Sequence, residues 1–240
     1  MKSKGEILKR AIVLLAFADR CSLEDRVIEG KKYTLHEREN QRVAISDWLK
    51  RNSYYECFTP NELRVMEKKV FIVTDRKILG MEVDHECIEP LLWSVNLVNK
   101  LSKYDGFVLD DFHYALQFGK DHSFESLESI TRLRPYEDLQ KHRELAMLWY
   151  WRCLEFRRDR YQTIDLYRAI RDCFGQETAE LLNSYRSFNR KVNDFTVKGR
   201  PVSDLSDSEF AKLEVIAERR FYAFEWMLSD EDWDHVSLSA

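Results

Sequence analysis

The sequence predicts an all-α protein, a single compact multi-helix domain with one long irregular loop before the last helix. The chain has only 7 glycines and 4 prolines in 240 residues, and these are the residues that tight β-turns require. Apolar residues recur every three or four positions along most of the sequence, which is the period of a helix with one buried face. We find no internal repeat, low-complexity tract or flexible linker, so residues 1–240 are predicted to form one domain.

Helix starts are marked by two capping boxes. Thr59 and Glu62, with Pro60 between them, predict a helix that begins at Pro60, and Ser206 with Glu209 opens the last helix. Further helices are predicted over residues 6–20, 35–50, 84–100, 110–118, 137–158, 163–174 and 177–190. The β-branched run 69–75 is predicted to be an extended connector, because one strand without a partner makes no sheet. Residues 119–135 are predicted to be a loop with one helical turn, and residues 192–205 an irregular loop long enough to suggest a function.

The composition and charge of the chain argue against nucleic-acid and membrane partners. Hydrophobic residues make up 44% and charged residues 33% of the chain, with a net charge of −4, as in an ordinary soluble globular protein. The densest basic stretch, Arg152 to Arg171, is interrupted by acidic residues, so we expect no nucleic-acid partner. No apolar stretch is long enough to cross a bilayer, so we expect no membrane partner.

Cysteine usage indicates the cytoplasm. The five cysteines are odd in number and never spaced C-x-x-C, which is typical of reduced thiols and not of a disulfide framework or a zinc ribbon. The N-terminus leaves an alternative open. Basic residues from Lys2 to Arg10 precede an apolar run over residues 11–18 that ends in A-F-A, a pattern similar to a secretory signal and equally typical of a buried helix.

Several stretches, in order, resemble a known family. They are RAIVLLAF from Arg10, FTPNE from Phe58, ECIEPLLWSVNLV from Glu86 and ERRFYAFEWMLSDEDWDHVS from Glu218, with LRPYEDLQKHRELAMLWYWRC as the central segment. Together they resemble the mostly bacterial family called domain of unknown function 4272. One departure is Val83-Asp84, where members of the family usually carry Trp-Arg. The resemblance implies a helical domain and assigns no catalytic residue.

The sequence has no recognisable catalytic signature. It lacks a G-x-S-x-G elbow, a phosphate-binding glycine loop and an H-E-x-x-H pair. No cofactor is therefore predicted, and whether the chain is an enzyme stays open.

Arginines are the candidate ligand-binding residues. Arg134, Arg152 and Arg157 could line an anion pocket where the loop before residue 135 meets the long central helix. Arg152 lies in WYWRC, the most apolar part of the chain. It is therefore either a buried structural residue paired with a carboxylate or a ligand anchor.

Two further groups of residues are candidates. Asp110, Asp111 and His113 are close enough in sequence to share a metal ion. The interaction candidates are Asp194, Phe195 and Arg200 in the irregular loop and Trp233 in the acidic C-terminal segment, where Trp233 is predicted to anchor a solvated tail.

Two functions follow as hypotheses. The first is a protein-interaction or adaptor module, in bacterial defence or stress, with a protein partner. The alternative is a small-molecule-binding protein or enzyme with an arginine-lined, metal-assisted pocket. The sequence indicates neither the ligand nor the oligomeric state.

Overall fold

The fold is mostly helical in the computed structural model, which describes residues 1–24, 27–28, 31–71, 85–108, 111–120, 124–159 and 165–239. Within these ranges the α-helices are α1 (Lys4–Ser22), α2 (Leu35–Arg51), α3 (Pro60–Glu67), α4 (His85–Ser94), α5 (Phe112–Ala115), α6 (Phe124–Ser129), α7 (Tyr136–Arg158), α8 (Leu166–Phe174), α9 (Gln176–Leu181) and α10 (Asp207–Leu228). The strands are β1 (Val27–Ile28), β2 (Lys31–Lys32), β3 (Phe188–Asn189), β4 (Asp194–Val197) and β5 (Arg200–Pro201), with short 3₁₀ turns at Tyr55–Cys57, Val202–Asp204 and Trp233–His235.

Four helices enclose the core. Helix α7 packs along α10, and α4 contacts both α1 and α10. The apolar run of α1 is buried on nearly every side from Ile7 to Phe17, and Trp149 of α7 is fully buried. Each such side chain stabilises the fold by about 1.5–3 kcal/mol through the apolar surface it removes from water. The segment that is similar to a secretory signal is thus a core helix in this fold.

Helix starts follow the sequence closely. The capping boxes at Thr59 and Ser206 are confirmed: each hydroxyl accepts a hydrogen bond from the amide three residues on, and the glutamate there accepts one from the cap amide. Two more capping boxes, Ser3 with Glu6 and Thr34 with Glu37, open α1 and α2. Both have the same S/T-x-x-E spacing and were present to be found in the sequence.

The prediction of an irregular loop over residues 192–205 is wrong. Residues 188–201 form a three-stranded antiparallel sheet in the order β3-β4-β5. Phe188 pairs with Phe195, and Thr196 pairs with Pro201. The turn between β4 and β5 has two residues with positive φ, 51° at Lys198 and 80° at Gly199, the geometry that two-residue hairpins favour. The predicted all-α class is therefore only partly correct: the fold is mostly helical but contains a small sheet.

Other boundaries differ locally. The helix predicted over 177–190 ends at Leu181, because the turn-forming residues from Asn183 to Ser187 lead directly into β3. Helix α4 continues through Pro90, and the predicted loop 119–135 contains α6. Most of the predicted connector 69–75, the Val83-Asp84 pair and the start of the helix at 163 lie outside the described residues. Across the described ranges, no helix combines the length and the apolar character that crossing a membrane requires.

Candidate anion-binding cleft

A cleft of about 750 Å³ lies where four parts of the molecule meet. One wall is the loop of residues 97–105 that follows α4, and a second is the N-terminal half of α7. The third is the segment 185–199, which contains β3, β4 and their turns, and the floor is α10. The segment that the sequence marked for function therefore forms a wall of this cleft.

Positive charge dominates the lining of the cleft. Two carboxylates, Asp105 and Asp138, line it. Against them stand six cationic side chains: Lys100, Lys103, Arg134, Arg186, Lys198 and Arg220. A cleft lined mainly by one sign of charge concentrates ions of the opposite sign.

Most of the cleft cations have no carboxylate partner among the described residues. Five of them form no ion pair with any carboxylate in the described part of the chain: Lys100, Lys103, Arg134, Arg186 and Lys198. Outside the cleft, arginines with a carboxylate partner among the described residues are common: Arg10, Arg20, Arg42, Arg143, Arg152, Arg157, Arg158, Arg168, Arg171 and Arg200. Within the described residues, Arg134 and Arg186 thus differ from these ten arginines in having no carboxylate partner.

Arg220 is the deepest cation of the cleft, with 2% of its surface exposed. Its Nε donates to Glu86 Oε2 at 3.0 Å, and its Nη1 donates to the carbonyl of Ser102 at 2.6 Å. Its Nη2 lies 3.0 Å from Glu86 Oε2 without making a hydrogen bond. The guanidinium is therefore fixed in place, and its Nη2 is enclosed beside the two carboxylates of Glu86 and Glu89.

Two buried carboxylates of α4 hold Arg220 and the loop wall together. Glu86 accepts a hydrogen bond from the amide of Val108, and Glu89 accepts one from the amide of Ser102 at 2.8 Å. Burial raises the pKa of Glu86, although the Arg220 charge opposes that rise. The loop is thus anchored through its main chain at both Ser102 and Val108.

Aromatic groups form the other end of the cleft. The Arg134 guanidinium lies 4.5 Å from the Trp93 ring centre, and its Nε donates to the Trp93 carbonyl at 2.7 Å. His142 lies 4.3 Å from Trp93, between ring centres. Burial lowers the pKa of His142, so its imidazole is neutral at neutral pH and adds no charge. At this end Arg134 is held in place by a buried aromatic group and main-chain carbonyls.

The sheet is tied to the loop wall by one hydrogen bond. Asp105 accepts from the amide of Lys198 at 2.9 Å, which fixes the β4–β5 turn against the loop. The carboxylate nearest to this end of the cleft is therefore already engaged with the main chain.

The three predicted arginines are not brought together. Arg134 lines the cleft, whereas Arg152 and Arg157 do not. Arg152 makes a two-bond ion pair with Asp194, at 2.8 Å and 2.9 Å, which is the structural alternative drawn from the sequence. Arg157 pairs with Glu214 at the surface.

The predicted metal residues are placed only in part. Asp110 lies outside the described residues. His113 sits between two carboxylates, with Nδ1 2.6 Å from Asp111 Oδ1 and Nε2 2.8 Å from Asp19 Oδ2. The hydrogen bond to Asp19, opposed by burial, raises the pKa of His113 to about 9. The described residues hold no group of three or more side chains that fits a metal ion.

The predicted interaction residues are mostly engaged within the fold. Phe195 has no exposed surface, and Asp194 is buried against Arg152. Arg200 is partly exposed and pairs with Glu209. Trp233 is half-buried beneath the Arg10 guanidinium, 4.2 Å from its ring centre, and packs on Trp226. Trp233 thus anchors the end of the chain, as the sequence predicted, beside carboxylates such as Asp232 that are almost fully exposed.

Sequence reasoning missed most of the cleft. Lys100, Lys103 and Lys198 stand in loops and turns, where a lone lysine carries no signal. Arg220 did carry one, because it is three residues after Ala217 and four before Phe224 on the apolar face of α10. A charged residue on a buried helix face requires a partner and so indicates a site.

The fold and the cleft together define a mostly helical protein with a cleft lined mainly by cationic side chains. The model of the family described as "Domain of unknown function (DUF4272)" matches residues 1–168. This chain belongs to that family, in agreement with the sequence resemblance. The match ends in α8, so the sheet and α10, with Lys198 and Arg220, follow the matched part. No curated protein and no solved structure matches the chain.

Proposed function

We propose that this protein binds an anionic small molecule in the cleft between the loop of residues 97–105, α7, the sheet and α10. The observation that carries the proposal is the charge of the lining, where six cationic side chains stand against two carboxylates. A phosphate or carboxylate ligand supplies the missing counter-charge and can accept hydrogen bonds from the exposed lysines of the lining. No reaction is assigned, because the lining offers no nucleophile paired with a base.

Calorimetric titration with pyrophosphate and citrate tests this proposal, with a neutral disaccharide as the reference ligand. We expect at least one anion to bind, with an affinity that falls as the salt concentration rises, and the disaccharide not to bind. The Lys103→Glu/Lys198→Glu variant should bind at least about tenfold more weakly, a loss of ~1.4 kcal/mol.

The matched control is Lys68→Glu/Lys212→Glu. It makes the same change of net charge on exposed lysines that do not line the cleft. Equal losses in both variants would show that anions respond only to the overall charge and would remove the support for a cleft site.

A protein-interaction or adaptor role, in bacterial defence or stress, is the second candidate. It is favoured by Tyr114 of α5, an aromatic side chain that is 80% exposed. Mass spectrometry of the protein gently purified from its own host separates the two functions. A stoichiometric protein partner that is lost in Tyr114→Ser and kept in Lys103→Glu/Lys198→Glu supports the adaptor. A retained small anion with no protein partner supports the cleft.

A further inference from the structure

Three charged side chains are buried together beneath the cleft. Arg220 is 2% exposed, Glu86 1% and Glu89 not at all. The Arg220 guanidinium lies 3.0 Å from Glu86 Oε2 and 3.5 Å from Glu89 Oε2. Because one guanidinium faces two carboxylates, the cluster carries a net negative charge whenever both glutamates are ionised.

The hydrogen bonds of this cluster are incomplete. Arg220 Nη2 and Glu89 Oε2 are both buried and have no hydrogen-bond partner among the described atoms. A buried carboxylate oxygen without a donor is costly when it is charged and much less costly when the group is protonated. Burial also raises the pKa of Glu86. The cluster therefore has a place for one proton at the unpartnered carboxylate oxygen.

The groups around the cluster supply little other charge. Tyr104, from the loop wall, lies 4.8 Å from the Arg220 guanidinium. Burial raises the pKa of Tyr104 and of Tyr185, so both phenols are neutral in the working range. Lys103 contributes its carbonyl, 3.3 Å from Arg220 Nη1. Among the described residues, Arg220 is thus the cation that contacts both glutamates.

We propose that an anion bound at Arg220 causes the Glu86–Glu89 pair to take up one proton from solvent, so that the cleft binds its ligand more tightly at lower pH. This inference rests on the proposed function. An anion held in the cleft above Arg220 places a further negative charge near the two glutamates, and the cluster restores its charge balance by protonating one carboxylate. Glu86 and Glu89 act as positioning residues, since Arg220 and not the glutamates lines the cleft.

The probe is inositol hexasulfate, a polyanion whose sulfate groups do not titrate near neutral pH. Titration calorimetry in two buffers with different heats of ionisation gives the number of protons taken up on binding. We expect the wild-type protein to take up as much as one proton, with an affinity that falls by up to about tenfold per pH unit. In Glu89→Gln, which keeps an oxygen to accept from the Ser102 amide, proton uptake should disappear and the affinity should lose its pH dependence.

Glu137→Gln is the matched control, because Glu137 is exposed at the start of α7 and should leave the uptake as it is in the wild type. Binding by the wild type without proton uptake would overturn the coupling and leave the proposed function standing. Unchanged uptake in a folded Glu89→Gln would overturn it as well. Absence of polyanion binding by the wild type would instead count against the proposed function itself. The wild-type measurement decides the coupling even when the variant does not fold.

Discussion

Arg152 and Arg134 were both candidate ligand-binding residues, with a structural role as the alternative for Arg152, and the structure gives them opposite surroundings. Arg152 meets the carboxylate of Asp194 in a buried ion pair with two hydrogen bonds. Arg134, only half-buried, donates to main-chain carbonyls, stacks on Trp93 and has no carboxylate partner among the described residues. Arg152 has its charge balanced within the fold, whereas the charge of Arg134 is not balanced by any carboxylate among the described residues.

The largest effect should come from breaking the paired region. Asp194→Asn leaves the buried Arg152 without a counter-charge, and we expect the free energy of unfolding to fall by about 3–5 kcal/mol. Urea denaturation measures the change. Arg157→Gln is the control: its side chain is 63% exposed, so losing the pair with Glu214 should cost at most about 1 kcal/mol. Similar small losses in both variants would contradict the structural role of the Arg152 pair.

A smaller, pH-dependent effect is expected at His113, which also has carboxylate partners. Its pKa is about 9 in the fold against an ordinary 6.5, so the protonated imidazole stabilises the folded state. That contribution is complete below pH 6.5 and disappears as the pH rises through 9.

The stability difference between the wild type and His113→Gln should therefore shrink over this interval, as followed by thermal unfolding at several pH values. His36→Gln, at an exposed histidine of α2, is the control and should show no such trend. A difference that stays constant with pH would show that His113 contributes by packing alone.

The smallest effect on stability is expected in the cleft. Lys100, Lys103 and Lys198 are exposed and have no ion-pair partner in the described chain. Replacing each by glutamine should change the free energy of unfolding by less than about 0.5 kcal/mol, since no attractive interaction is lost. Urea denaturation without ligand checks this expectation. If the free energy of unfolding fell by more than about 1 kcal/mol for any of the three variants, that lysine would have a structural role, as Arg152 does.

The helices were predictable because their signals are local. The capping boxes at Thr59 and Ser206 and the apolar spacing of α10 each lie within a few residues. The sheet was missed because its signal is weak: the strands have two to four residues each, and the turn contains only one glycine.

The cleft was less predictable than the fold. Arg134 was named from its position, but its cationic neighbours come from the loop after α4, the β4–β5 turn and α10. Their convergence depends on tertiary contacts, such as the bond from the Lys198 amide to Asp105, that no sequence spacing encodes. Arg220 was missed as well, although its place on the buried face of α10 is a signal in the sequence.

The loop of residues 97–105 is fastened through its backbone. Arg220 and Arg134 bind carbonyls of this loop, and Glu89 binds its amide at Ser102. These hydrogen bonds use only main-chain atoms of the loop and do not depend on its side chains. Lys100 and Lys103 can therefore be replaced by other residues while the path of the loop stays the same. Related chains could thus alter what the cleft recognises by substitution in a handful of surface positions, without rebuilding the scaffold beneath.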